Sequence, residues 1–381
     1  MTRWRIAWVL AWCLLAGLHA PGARGGTGTG TGKVMTPRAQ RVILFVIDGL
    51  AGQAPERFSM PNLLRLAGEG CRYEAMHLPL PVHPKDDPRY PWSCSMPNPM
   101  LMAGTPFIGA DGIRTAMIQH QFEEEQTAFV VNAYSYKDVS GGFGVYLARP
   151  HSPDSWVIER AKEVLLEKKP VFMRMHLQRA GIEGEKVSKN QYAKEAWYGD
   201  IWHAKSPYRM ACERADGHLG EFVQWLKEQD LWKDTVLLIC GDHGQADEGW
   251  HEPYSTGSSV TPLVVVGAGV VEGRTVPHCE IYDVAPTIAS LTGRPAPSRS
   301  VGRVLSEAFD AGGSPPAGES ATERLNETLR AARALKGKSM EALTKAGFLG
   351  IAEVGRWHTT PAGTDFAAFA ARQRTLLGAG R

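Results

Sequence analysis

A chain of 381 residues with 43% hydrophobic and 22% charged content can bury a large core, which excludes the disordered and fibrous classes. Its 42 Lys and Arg against 40 Asp and Glu leave no basic footprint for nucleic acid or for an anionic membrane surface. Length alone allows two domains or a single α/β domain with an appendage, so the motifs must decide.

The first residues carry Arg3 and Arg5, followed by an uncharged apolar run over 6–18. That run is shorter than the roughly 20 residues a membrane span needs, and small residues follow it. It predicts a secretory signal peptide over 1–22, cleaved after Gly22, with an uncleaved anchor as the alternative. Export to a periplasmic or extracellular space follows from it. Alternating Gly and Thr over 25–32 predicts a flexible tether within 23–40. Cys13 lies in the apolar run; the remaining Cys71, Cys94, Cys212, Cys240 and Cys279 are odd in number and lack zinc-finger spacing, so at least one thiol stays free. No later stretch is long enough to cross a bilayer.

Arg41–Ile47 is a continuous apolar, β-branched run that reads as a strand buried on both faces and ends at Asp48-Gly49. A helix is predicted over 60–67. The same grammar recurs as a strand over 128–131, a helix over 154–168, a strand over 171–175 and a helix over 208–228. A strand at Thr235–Cys240, another over 262–266 and a helix over 281–291 complete it. Strands alternating with long amphipathic helices predict an α/β fold over 41–309, a doubly wound, mostly parallel sheet with helices on both faces. Two stretches, 78–114, rich in Pro, Met and Gly, and 180–206, polar with Trp197 and Trp202, read as long loops over one edge of the sheet. Gly, Ser and Pro over 310–320, then helically spaced apolar residues from Leu325 to Leu343, predict a linker and a small helical tail over 310–381.

Asp48 stands where one buried strand ends, and Asp242-His243 where another does. Ligands of open α/β sheets bind at the carboxyl ends of strands, so both acidic groups are expected to face one crevice. Two carboxylates and an imidazole suit a divalent ion, zinc included. Taken singly, each Asp is equally a turn or cap residue.

The motifs Val-Ile-Asp48-Gly, Gly241-Asp242-His243-Gly244, Thr261-Pro-Leu-Val-Val-Val-Gly-Ala-Gly269 and Asp283-Val-Ala-Pro-Thr-Ile-Ala-Ser-Leu-Thr-Gly293 follow one another in that order. Over about residues 41–305 the chain thus resembles the alkaline phosphatase superfamily, in particular its sulfatase-like and type I phosphodiesterase branches. The resemblance implies an exported, metal-dependent hydrolase of phosphoric or sulfuric esters acting on a small-molecule or glycan ester. It implies a divalent metal, zinc or else Ca, Mg or Mn, on Asp48, Asp242 and His243, with His251 as a further ligand. Ser95-Met-Pro97-Asn98 is similar to the Thr-x-Pro-Asn pattern of the phosphodiesterases, which makes Ser95 the nucleophile and Asn98 a substrate-binding residue. Counting back from Gly104 without a gap puts Cys94 there instead. Sulfatase maturation of that Cys needs Pro two residues on and Arg four on, where this chain has Met96 and Asn98, so Ser95 is preferred. The alternative for Ser95 is a simple helix N-cap.

Two-metal members also carry an Asp followed four residues later by His. The corresponding stretch here shows Arg179 and Glu183, which implies one metal site, with Arg179 neutralising the ester anion in place of a second ion. Asp216, on the helix over 208–228, is expected to be structural. A sulfatase, a phospho-group transferase and a non-catalytic binding protein on a decayed hydrolase scaffold are the competing functions.

Overall fold

Six consecutive residues of β1 (Arg41–Ile47), Val42 to Ile47, are completely buried, as a strand at the centre of a sheet covered on both faces requires. The structure is a computed structural model that describes residues 39–78, 97–105, 116–134, 136, 139–251, 257–300 and 302–310. The signal segment, the tether, the helical tail and both nucleophile candidates, Cys94 and Ser95, lie outside the described residues.

After β1 come α1 (Ala54–Arg57), α2 (Pro61–Gly68), β2 (Cys71–His77), α3 (Pro97–Ala103), β3 (Thr127–Val131) and β4 (Val145–Ala148). Then follow α4 (Asp154–Glu167), β5 (Phe172–Leu177), α5 (Arg179–Val187), α6 (Pro207–Glu228), β6 (Thr235–Cys240), β7 (Val260–Gly267), β8 (Arg274–Glu280) and α7 (Val284–Thr292). The strands form one sheet in the order β4-β3-β5-β1-β6-β7-β2-β8. It is mostly parallel; only β7 runs antiparallel to both of its neighbours, β6 and β2. Pro262 lies on β7 opposite a bulge, where Glu74 and Ala75 of β2 face a single residue, so its missing N–H costs no regular ladder bond.

Alternation along β1 builds two cores. Ile43, Phe45 and Ile47 face α2, α4 and α6, packing with Leu63, Val157, Leu219 and Phe222. Val42, Leu44 and Val46 face α3 and α7, packing with Met100, Leu101 and Ile288. The expected α/β fold with helices on both faces is therefore present. The stretch over 180–206, expected as a loop, instead opens with α5, and the stretch over 78–114 contains α3. Asp216, on α6, caps α2 by accepting from the backbone N–H groups of Leu63 at 2.7 Å and Asn62 at 3.1 Å, a structural role.

Cys71, Cys212, Cys240 and Cys279 are buried and unpaired. Burial pushes the thiol of Cys71 up to about 11 and those of Cys212 and Cys240 up to about 12. Among the described residues no helix is long and apolar enough to cross a membrane.

Phe222 of α6 is fully buried against the sheet, its ring 6.1 Å from that of Phe45 on β1. Phe222→Ala should lower stability by about 3–5 kcal/mol, measured as a shift in urea midpoint at constant slope.

Candidate metal centre

β1 lies between β5 and β6 and is parallel to both. The register pairs Ile47 with Leu177 and Val46 with Cys240, so Asp48, Gln178 and Asp242 leave the same edge of the sheet. Asp48, Asp242 and His243 are all buried, and one ligand atom from each lies within 4.8 Å of the others.

His243 is oriented by its own loop. Its Nδ1 lies 2.7 Å from the carbonyl of Gly244, which can only accept, so the proton sits on Nδ1. Nε2 then points its lone pair at Asp48 Oδ1, 3.7 Å away, and Asp242 Oδ1, 3.8 Å away. No hydrogen bond spans those gaps, and a shared cation matches the donor set: two hard oxygens and one borderline nitrogen.

The far side of the carboxylates is filled by donors. Asp48 Oδ2 accepts from Tyr136 at 2.5 Å, Gln178 Nε2 at 2.7 Å and His176 Nε2 at 3.1 Å. Asp242 Oδ2 accepts from Asn98 Nδ2 at 2.8 Å, and Asp242 Oδ1 from the backbone N–H groups of Gly49 and His243, each at 3.1 Å. Gly49 makes the turn after β1 with φ of 64°, the left-handed region in which glycine alone is unstrained. Burial pushes the Asp48 carboxyl up, but the hydrogen bonds from His176 and Tyr136 and the charge of His243 outweigh it, and the net direction is down. For His243, burial pushes the imidazole down, Asp242 and Asp48 push it up more strongly, and the net direction is up. Burial, reinforced by Asp48 and Asp242, holds the Tyr136 phenol far above its ordinary range.

Several expected residues stand elsewhere. Arg179 opens α5, where the one-turn spacing pairs it with the buried Glu183; its own side chain is 48% exposed. The strand-end residue that reaches Asp48 is its neighbour, Gln178. Asn98 is fully buried, its amide joined to Asp242 on one side and to Arg174 on the other, so it braces the site from behind. The ring of His251 lies 4.6 Å from that of His243, but its Nε2 faces Glu185 at 3.9 Å, outside the ligand cluster. Tyr136, Arg174, His176 and Gln178 were not anticipated. His176 and Gln178 had a signal in the strand over 171–175, whose end faces the site; Tyr136 had none.

Comparison with known proteins follows the same lines. The family model described as Sulfatase matches residues 105–294, a span that includes Asp242 and His243. A protein of the alkaline phosphatase superfamily from Vibrio parahaemolyticus superposes with a TM-score of 0.52 at 18% identity, over 75% of this chain and 72% of that one. The family match and the shared fold support placing the chain in the alkaline phosphatase and sulfatase superfamily. Over 101 residues it is 32% identical to Arylsulfatase K of Danio rerio, which covers 25% of this chain and 19% of that protein. Over 83 residues it is 35% identical to the catalytic subunit of human GPI ethanolamine phosphate transferase 2, covering 21% of this chain and 8% of that protein. The chain thus spans less than a fifth of the length of these curated relatives.

Two outcomes follow from the geometry. A Cβ on Gly181 of α5 would lie 1.7 Å from Asp48 Oδ1, so Gly181→Ala should displace that carboxylate and weaken zinc affinity about tenfold or more, read by chelator competition. In the metal-free protein, the raised folded pKa of His243 gives stabilisation that is complete below its unfolded value of about 6.5 and is lost as pH rises through the folded value. Urea unfolding in chelator should therefore show stability falling as pH rises above about 6.5, by up to about 1.4 kcal/mol per unit, and His243→Gln should flatten that fall.

Proposed function

We propose that the chain is an exported hydrolase of phosphoric or sulfuric esters that works with one divalent cation, zinc by preference, held by Asp48, Asp242 and His243. The convergence of those three ligand atoms at the ends of adjacent parallel strands carries the proposal. Bound there, a divalent cation lowers the pKa of a hydroxyl and neutralises charge on the ester's oxygens.

The protein's own groups do the rest. Tyr136, Gln178 and His176 fix the rotamer of Asp48, while Asn98 and the Gly49 amide fix that of Asp242, so no reorganisation is needed as charge develops. Ser95, two positions before the start of α3, is the proposed nucleophile. Its Oγ attacks phosphorus or sulfur, the alcohol departs with a proton, and water then attacks the Ser95 ester and regenerates the hydroxyl. Gln178 at the end of β5 supports a single cation, because a neutral amide that donates to Asp48 is a weak partner for a second one.

The test is metal analysis combined with turnover of aryl phosphates, aryl phosphodiesters and aryl sulfates. Asp242→Asn should lose both metal and turnover. Ser95→Ala should keep the metal and lose about a thousandfold or more in kcat, with Cys94→Ala near wild type. An active Ser95→Ala variant would move the nucleophile to Cys94, and bound metal without turnover of any of the three ester classes would sink the hydrolase. The stretch similar to an ethanolamine phosphate transferase favours, as a second reading, transfer of the group to an alcohol acceptor, seen as product formation only when acceptor is added.

A further inference from the structure

Arg174, on β5, is the largest fully buried side chain among the described residues, yet no carboxylate among them lies within ion-pair distance of it. Its Nε and Nη1 have no hydrogen-bond partner among the described residues. The guanidinium rests 4.8 Å above the ring of Phe129 and 5.7 Å from that of Tyr136, contacts that favour a cation but do not replace a counter-charge. A buried cation is held in place only if its charge is balanced nearby.

The balance is found one side chain away, twice. Arg174 Nη2 donates to His176 Nδ1 at 3.1 Å, and because a guanidinium has no acceptor, the ring's proton must sit on Nε2, which faces Asp48 Oδ2 at 3.1 Å. The same Nη2 donates to Asn98 Oδ1, and Asn98 Nδ2 donates onward to Asp242 Oδ2 at 2.8 Å. Both relays run in the same direction, from the guanidinium through a neutral polar group to the outer oxygen of a carboxylate. They approach the carboxylate pair from the side opposite His243.

We propose that Arg174 is a built-in counter-ion for the Asp48 and Asp242 pair, stabilising the site when no cation is bound and restraining how tightly a divalent cation binds. It rests on the metal site proposed above, and the repulsion between a fixed positive charge and an incoming cation across one imidazole's width is what sets the restraint. The guanidinium touches neither substrate nor metal, so it is a positioning and charge-tuning residue.

The test uses the full chain, zinc competition against a chromogenic chelator, and melting with and without excess chelator. Arg174→Met should bind zinc about tenfold tighter or more than wild type, melt lower in chelator, and gain more from zinc. Arg174→Lys, which keeps the charge, should stay within about threefold of wild-type affinity. Removing one carboxylate should also remove most of the need for the counter-ion, so in chelator Arg174→Met should cost far less melting temperature in an Asp242→Asn background than in wild type. A folded Arg174→Met with wild-type or weaker zinc affinity, or equal losses in both backgrounds, overturns the proposal. If Arg174→Met does not fold, recovery by zinc or by Asp242→Asn supports it, and failure of both overturns it. A wild-type protein that binds no zinc would defeat the metal site itself, while the chelator melts would still decide the role of Arg174.

Discussion

Two carboxylates, Asp48 and Asp242, are buried side by side at the ends of neighbouring parallel strands, and the surroundings of the site are arranged to make that tolerable. Like charges in a low dielectric repel strongly, and each also loses its hydration. Hydrogen bonds from Tyr136, Gln178, His176 and Asn98 replace water on the outer oxygens, and the imidazole of His243 faces the inner ones. Strand direction makes the crowding unavoidable: β1 and β6 point the same way, so the residues that follow them must leave from one edge.

The same constraint accounts for the closeness of α5. Arg179 begins the helix immediately beyond β5, and Gly181 is laid against Asp48 so tightly that even a methyl group would overlap the carboxylate. The helix therefore closes one side of the site with backbone, which cannot swing away as a side chain can. On the same helix the buried Glu183 is paired with the partly exposed Arg179 and Lys186.

How much of this was legible depends on whether a signal was local. β1, β6 and α6 announce themselves through long apolar or helically periodic runs, and the Asp-Gly and Asp-His-Gly punctuation marks where the site lies. β2, β4 and β8 were missed because they are edge or near-edge strands: β4 has four half-buried residues, and β8 contains Pro277. The end of β5 was placed to within two residues, but Arg179 entered the reading through motif spacing, and Gln178, which no motif marks, was passed over. Tyr136 reaches Asp48 across 88 positions, and Arg174 reads in sequence as an anomaly within an apolar strand. Such long-range contacts exist only after the sheet has formed.

The buried cysteines bear on a different matter. Cys71, Cys212, Cys240 and Cys279 are spread over β2, α6, β6 and β8 and held protonated by their apolar surroundings. A thiol that keeps its proton is a poor nucleophile toward disulfides and peroxides. The core around these four described thiols is thus indifferent to the redox poise of the surrounding compartment.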